Sequence, residues 1–224
     1  RLKSWLEERK LAYTPEARKT GLPFPKGILV FGIPGTGKSL TAKTVGKMWG
    51  LPLLRMLDIF DKYVGESEKR IRQALKLVET MSPCIFWIDE IEKFFSVSSG
   101  DSGVGIRVLG TFLNWMQESS KPVFTVATAN NIGVLPPELM RKGRFDEIFF
   151  VDLPNQKERE EILSIHLKRA RVNPEDFDLT LLVRETSGFT GSEIESAVLS
   201  ARFKAFSRKT DLDTFTLIEA IQET

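Results

Sequence analysis

This chain of 224 residues has little cysteine, little excess of charge of either sign and no long apolar run. Cys84 is the single cysteine, which excludes an intrachain disulfide and favours a reducing, cytosol-like compartment. The 32 lysines and arginines nearly balance the 30 acidic residues, so the charge gives no reason to expect a nucleic-acid partner. No apolar run is long enough to cross a bilayer, and no signal-peptide profile opens the sequence. Because the chain begins at Arg1 rather than Met, we expect it to be a piece of a longer protein.

Residues 32–39, GIPGTGKS, have the G-x-x-x-x-G-K-[ST] spacing of a phosphate-binding loop. The apolar run 28–31 predicts a buried strand before the loop, and the helical spacing of bulky residues over 40–49 predicts a helix after it. Such a loop turns consecutive backbone N–H groups toward phosphate oxygens, and the helix adds the positive end of its dipole.

Two side chains of this loop have specific roles in such a site. Lys38 can reach the β- and γ-phosphates, and the Ser39 hydroxyl is placed to bind Mg²⁺. The alternative is a Gly-rich turn that happens to precede a lysine. The context favours a nucleotide site formed by Gly32, Ile33, Pro34, Gly35, Thr36, Gly37, Lys38, Ser39 and Leu40.

Acidic residues follow the third predicted strand directly, at Asp89 and Glu90. Ligands of an open α/β sheet gather at the carboxyl ends of its strands, so both acids would project beside the phosphate loop. Asp89 would hold Mg²⁺, directly or through water, and Glu90 would orient and polarise the attacking water. Asn130, after the fourth strand, could hold the same water or touch the γ-phosphate. Taken alone, the acids are also typical of a solvated turn, and the asparagine of a turn residue.

The order of apolar segments predicts an α/β fold followed by an all-α region. Strands are predicted at 28–31, 51–57, 84–88, 122–128 and 147–151, with helices or long loops between them. This alternation implies a parallel five-stranded sheet flanked by helices, and residues 96–105 are predicted to form a Ser- and Gly-rich loop. Helices alone are predicted at 156–170, 179–186, 192–207 and 213–222. We therefore expect a nucleotide-binding domain over 1–153 and a small helical-bundle domain over 154–224.

Four segments together, GIPGTGKS, IFWIDEIE, ATANN and LMRKGRFDE, resemble the AAA family of ATPases within the wider AAA+ class. The likeness extends into the helical region through ILSIHLKRA and TSGFTGSEIESAV. More narrowly, WIDEIEK, SSGDSG and RKGRFDEIFF resemble a subgroup found in cyanobacteria, plastid genomes and other bacteria. The resemblance implies a P-loop NTPase fold, ATP and Mg²⁺ as ligands, and a place in the cytoplasm or the plastid stroma.

The resemblance also implies roles for individual residues. The loop 32–39 would be Walker A, Asp89 and Glu90 the Walker B acids, and Asn130 the sensor-1 residue. Arg141 and Arg144 would be arginine fingers that reach the γ-phosphate held by a neighbouring subunit. The alternative for the two arginines is a solvated basic turn.

Residues of the helical region would contact the base or the sugar. In the family, a histidine at the position of His166 lies near the adenine or ribose, with Ile162 one turn earlier and Gly191 and Ser192 closing the pocket. A lone histidine on a helix is otherwise more often an ordinary surface or core residue. Glu193 follows Ser192 with no arginine there, as in the AAA subgroup that lacks a sensor-2 arginine.

Lys62, Tyr63, Val64 and Gly65 match the family's pore loop, in which an aromatic residue faces the central channel of a ring and grips an extended polypeptide. The alternative is that Tyr63 and Val64 cap the core beside the second strand. Residues 96–105 would form a second channel-facing loop.

The resemblance implies an ATP-hydrolysing homo-oligomer, a hexameric ring, that remodels or translocates an unidentified protein substrate. A second hypothesis is a nucleotide-gated assembly scaffold or regulator in which hydrolysis only resets the state. A DNA motor or clamp loader is disfavoured by the near-neutral charge and the aromatic pore loop. No membrane segment is expected.

Overall fold

The computed structural model describes residues 1–56, 67–96 and 102–224. The predicted pore-loop residues 62–65 lie outside these ranges, as do residues 97–101 of the predicted Ser- and Gly-rich loop. The chain divides into two compact units, one of Arg1–Gly32 with Lys38–Val151 and the other of Ile33–Gly37 with Asp152–Thr224. The division into domains 1–153 and 154–224 stays a prediction.

The first unit is built on a parallel sheet. Its strands are β1 (Gly27–Gly32), β2 (Leu53–Arg55), β3 (Cys84–Ile88), β4 (Val123–Ala129) and β5 (Glu147–Val151). They form a five-stranded sheet in the order β2-β3-β4-β1-β5, with every pair parallel, as predicted. Ile88 pairs with Ala127, and Phe31 pairs with Ala129. The carboxyl ends of β1, β3 and β4 therefore lie at one edge of the sheet.

The second strand is shorter than the predicted 51–57, because Leu53–Arg55 alone pair with β3. Pro52 has no N–H to donate, so the strand's own donors begin after it. Its carbonyl still accepts a hydrogen bond from Ile85 N at 2.9 Å. Met56 already has a helical conformation, and residue 57 is outside the described ranges.

Helices cover both faces of the sheet. The helices of this unit are α1 (Leu2–Lys10), α2 (Pro15–Lys19), α3 (Lys38–Trp49), α4 (Ser67–Thr80), α5 (Ile91–Ser96) and α6 (Ser102–Glu118). On one face of the sheet, alternate residues of the central strands pack against α1 and α3. On the other face, the intervening strand residues pack against α4 and α6. This alternation is the two-residue period of a strand, so apolar strand residues pack against helices on both faces.

Helix α6 corrects the prediction of a loop over 96–105, because residues 102–105 are helical. Glycine and serine have low helix propensity, which is why the local sequence favours a loop. Val108, Phe112 and Met116 recur every four residues and are buried. Burial of this apolar stripe outweighs the local preference at the start of the helix.

The second unit is helical, with α7 (Gln156–Arg169), α8 (Leu179–Glu185), α9 (Gly191–Arg208) and α10 (Thr214–Gln222). Capping boxes begin α7 at Asn155 and α9 at Thr190, each closed by a glutamate three residues later. Leucine, isoleucine and alanine side chains from all of these helices form one core. No strand occurs in residues 152–224, all of which are described, as predicted. No helix in the described parts of the chain has the length and hydropathy to cross a membrane.

Candidate functional site

Lys38 begins helix α3 and folds back on the end of β1. Its Nζ donates a hydrogen bond to Gly32 O at 2.9 Å, and the residue is 6% exposed. Burial lowers the pKa of the Lys38 ammonium, while the negative charges of Glu92, Glu90 and Asp89 oppose that effect. An anion bound beside this buried ammonium would stabilise its charged form.

Asp89 follows β3, and one of its carboxylate oxygens accepts hydrogen bonds from two hydroxyl groups. Ser39 Oγ, from the first turn of α3, donates to Asp89 Oδ1 at 2.8 Å. Thr128 Oγ1, from β4, donates to the same oxygen at 2.7 Å. The other oxygen, Oδ2, lies 3.6 Å from Nη2 of Arg55, the last residue of β2. The structure thus brings together the predicted metal-binding residues Ser39 and Asp89, while Leu40, the next residue of α3, points largely into solvent.

Thr128 is a site residue that the sequence reasoning missed. It is 1% exposed, and it is one of two buried threonines, with Thr125, in a strand whose other residues are apolar. A buried hydroxyl needs a hydrogen-bond partner, and that requirement is the signal that could have identified it. Besides donating to Asp89, its Oγ1 accepts a hydrogen bond from Glu90 N at 2.9 Å.

Glu90 has a left-handed backbone, with a φ of 50°, which is unusual for a residue other than glycine. Its Oε1 accepts a hydrogen bond from Asn130 Nδ2 at 2.8 Å, and its Oε2 pairs with Lys93 Nζ at 2.5 Å. Lys93 first and Asn130 second hold the pKa of the Glu90 carboxyl below its ordinary value, against the effect of burial. The carboxylate is therefore ionised at neutral pH and fixed at both oxygens.

Asn130 is anchored through its backbone as well as its side chain. Its N–H donates to Glu92 Oε1 at 2.8 Å, and Glu92 lies in the first turn of α5. The predicted residues Lys38, Ser39, Asp89, Glu90 and Asn130 therefore converge at the carboxyl edge of the sheet.

The donor set suits a magnesium ion bound together with phosphate. No group of three or more histidine, cysteine or acidic side chains that could hold a metal occurs in the described residues. Mg²⁺ is usually held by one or two carboxylates together with substrate phosphates and water, rather than by a cage of protein ligands. The hydroxyl of Ser39 beside the carboxylate of Asp89 fits that pattern.

The two arginines of the predicted fingers follow a 3₁₀ helix, Pro137–Met140. Arg144 Nη1 donates to Glu138 O, and the residue is partly buried, whereas Arg141 is exposed. Among the described residues, neither arginine forms an ion pair with Asp89 or Glu90. Their role as fingers stays a prediction.

Residues 33–37 group with the helical unit. Gly35 has a φ of +83°, and a side chain there would collide with Ser192 Oγ and lie 2.9 Å from Thr190 Oγ1. Gly35 O accepts a hydrogen bond from Ser192 N at 3.1 Å. Gly37 also has a positive φ, of +88°, but with open space where a side chain would be. The backbone conformation thus favours glycine at both positions, and a side chain at Gly35 would in addition force the Ser192 hydroxyl to move.

His166 lies on α7 one turn after Ile162. Its Nδ1 is 3.7 Å from Glu195 Oε1, and its side chain is 13% exposed. Burial lowers the pKa of the His166 imidazole, Glu195 opposes that shift, and Arg169 adds to it. A Cβ built on Gly191 would lie 3.8 Å from Ile162 Cδ1, so the start of α9 lies close to α7 at this point.

Comparison with known proteins gives one family. The sequence model of the ATPase family associated with various cellular activities (AAA) matches residues 28–153. The uncharacterized AAA domain-containing protein ycf46 of Trieres chinensis is 49% identical over 228 residues, covering 99% of this chain and 46% of that protein. The protein of the same name from Guillardia theta is 48% identical over 227 residues, covering 99% and 45%.

More distant similarity extends to proteins with assigned activities. The proteasome-activating nucleotidase of Aeropyrum pernix is 33% identical over 216 residues, covering 92% of this chain and 52% of that protein. The ATP-dependent zinc metalloprotease FtsH of Ralstonia pickettii is 36% identical over 198 residues, covering 83% and 28%. The chain thus spans about half the length, or less, of these relatives.

Proposed function

The chain belongs to the AAA family of ATPases, and we propose that it hydrolyses ATP in a ring of identical subunits and uses the hydrolysis to remodel or translocate a protein partner. The observation that carries this proposal is the hydrogen-bonded arrangement of Ser39, Asp89, Glu90 and Asn130 at one edge of the sheet. These residues include a hydroxyl and a carboxylate that could hold Mg²⁺, a carboxylate that could act as a base and an amide that positions it, which are groups that one subunit would contribute to phosphoryl transfer to water.

The phosphate loop would bind the triphosphate. Its backbone N–H groups and the Lys38 ammonium would donate hydrogen bonds to phosphate oxygens, and Lys38 would exchange Gly32 O for a charged acceptor. Ser39 and Asp89 would hold Mg²⁺, which neutralises charge on the phosphates when it is bound. Ile162, His166, Gly191 and Ser192 would contact the adenine or the ribose.

Glu90 would be the general base. Its ionised carboxylate would accept a proton from the water that attacks the γ-phosphorus, while the bond from phosphorus to the bridging oxygen breaks and ADP leaves. Asn130 would keep the carboxylate, and through it the water, in place. The ion pair with Lys93 makes the base weaker, because it stabilises the charged form.

The remaining roles require a second subunit. We propose that Arg141 and Arg144 act on the nucleotide of a neighbour in a hexameric ring, where an arginine finger accelerates phosphoryl transfer by about 10³- to 10⁵-fold. Arg144 would have to release Glu138 O to do so. Residues 62–65 would grip the polypeptide substrate. The names of two relatives, a proteasome-activating nucleotidase and an ATP-dependent metalloprotease, support a protein as the partner.

A second candidate function is a nucleotide-gated scaffold with slow turnover. The observation that favours it is the short ion pair between Lys93 and Glu90, which makes the proposed base less basic. Replacing Tyr63 with alanine separates the two functions, because substrate remodelling should collapse in a translocase while ATP turnover persists. In a scaffold, the same change should alter neither remodelling nor ATP turnover.

The formal charge of +2 gives no support to a nucleic-acid partner. We propose that the protein is located in the cytoplasm or the plastid stroma.

The direct test of the chemistry is Glu90→Gln in the full-length protein. We expect this variant to bind a fluorescent ATP analogue as tightly as the wild type and to lose at least about 100-fold in turnover, as for removal of a general base. Glu118→Gln, which changes an exposed carboxyl at the end of α6, should leave both values unchanged. Full turnover in Glu90→Gln would refute the assignment of the base.

A further inference from the structure

Arg55 reaches the metal-binding carboxylate from the neighbouring strand. As the last residue of β2 it pairs in register with Trp87 of β3, and its guanidinium carbon lies 4.8 Å from the centre of the Trp87 ring. Trp87 and Asp89 are two residues apart, and alternate residues of a strand point to the same side. The guanidinium therefore passes over the indole and ends 3.6 Å from Asp89 Oδ2.

The surroundings restrict where this guanidinium can go. Arg55 Nε is buried and has no hydrogen-bond partner among the described residues. The indole face attracts the cation through its quadrupole. The Asp89 side chain is 17% exposed and the Arg55 side chain is 39% exposed, so water screens the charges of this pair more than those of a buried pair and less than those of a fully exposed one.

Both oxygens of Asp89 are thus occupied within the protein. Oδ1 accepts from Ser39 and Thr128, and Oδ2 lies beside Arg55. A divalent cation that binds Asp89 must share the carboxylate with the positive charge of Arg55. Phosphate oxygens of a nucleotide would supply the negative charge that makes such binding favourable.

We propose that Arg55 is a positioning residue that offsets the charge of Asp89, so that a divalent cation binds firmly here only together with the phosphates of a nucleotide. The inference rests on the proposed function, since it assumes that Asp89 holds the metal. In this role, Arg55 couples metal binding to nucleotide binding.

The test measures Mn²⁺ binding to the full-length protein by electron paramagnetic resonance, with and without a non-hydrolysable ATP analogue. Without nucleotide, Arg55→Gln should bind Mn²⁺ about tenfold more tightly than the wild type, because the guanidinium of Arg55 repels a second cation at the same carboxylate. With the analogue bound, the difference should fall below about threefold, because the phosphates dominate the local charge. High salt should narrow the nucleotide-free difference.

Two matched variants distinguish this role from a general effect of charge. Lys43→Gln removes another cation from the same indole, whose ring centre lies 5.7 Å from Lys43 Nζ. The ion pairs of the described residues include none between Lys43 and Asp89, so Mn²⁺ affinity should be unchanged. Arg55→Lys retains the charge and should restore most of the wild-type behaviour.

Binding of a fluorescent ATP analogue in the presence of Mg²⁺ separates a failure of the proposed function from a failure of the inference about Arg55. If no variant and no wild-type protein binds the analogue, the proposed function fails. If the analogue binds but Arg55→Gln and the wild type hold Mn²⁺ equally without nucleotide, the inference about Arg55 is wrong. An equal gain of Mn²⁺ affinity in Lys43→Gln would also overturn it.

Discussion

Removal of the Thr128 hydroxyl is expected to weaken the fold and the site together. Thr128→Val keeps the shape of the side chain but takes away a hydrogen bond to the Asp89 carboxylate and the acceptor for Glu90 N. A hydrogen bond to a charged group contributes about 1.5–3 kcal/mol, and a buried N–H left unpaired costs about 1–3 kcal/mol. We therefore expect a loss of about 3 kcal/mol in the free energy of unfolding.

The matched control is Thr128→Ser, which keeps the hydroxyl and removes one methyl group, at a cost of about 1 kcal/mol. Urea titration of both variants gives the free energies, and thermal unfolding should show a decrease of about 6–12 °C in Tm for Thr128→Val. ATP turnover should fall about 10- to 100-fold, as for other residues that orient a metal-binding side chain. The reasoning is refuted if the free energies of the two variants agree within about 0.5 kcal/mol, which is the scatter of unrelated surface changes.

Other predictions concern the phosphate loop and the histidine. Gly35→Ala should lower Tm more than Gly37→Ala. Both changes add the strain of a positive φ, but a collision with Ser192 occurs only at Gly35. Equal decreases in Tm would contradict this packing. Burial lowers the pKa of His166 in the folded protein below the ordinary value of 6.5, which applies in the unfolded chain. Between these two pKa values the unfolded chain binds more protons than the folded protein. The free energy of unfolding should therefore fall as the pH decreases through 6.5. Urea titrations between about pH 8 and pH 5 should show a smaller decrease in the free energy of unfolding for His166→Asn than for the wild type. The same decrease in both proteins would show that His166 does not cause the pH dependence.

The sequence predicts the parallel sheet well because its signal is local. The continuous apolar runs at 28–31 and 84–88 can fill a strand buried on both faces, and the structure has strands there. The start of α6 was missed because its glycines and serines favour a loop, whereas the burial that stabilises the helix involves distant parts of the chain.

The same contrast holds at the site. The placement of Lys38, Ser39, Asp89 and Glu90 at one edge of the sheet could be predicted because their spacing from strands and from the loop is characteristic, and their roles stay predictions. The contribution of Arg55 could not, since an arginine at the end of a short strand has no distinguishing spacing. Its contact with Asp89 follows from the pairing of β2 with β3, which becomes visible only in the folded chain.

The central claim, that ATP is hydrolysed at a site shared between subunits, is tested most directly by mixing two inactive variants. Arg144→Ala lacks the finger but keeps the base, and Glu90→Gln lacks the base but keeps the finger. Each alone should retain at most about a thousandth to a hundredth of wild-type turnover. In mixed rings, about a quarter of the sites should combine an intact base with a neighbour's intact finger, and ATP turnover should recover accordingly.

The measurement is ATP turnover per subunit in the full-length protein, as a function of the mixing ratio and of total protein concentration. The account predicts a maximum near equal amounts of the two variants and a wild-type specific activity that rises with concentration. No recovery at any ratio, together with a wild-type rate that is independent of concentration, would contradict a shared site.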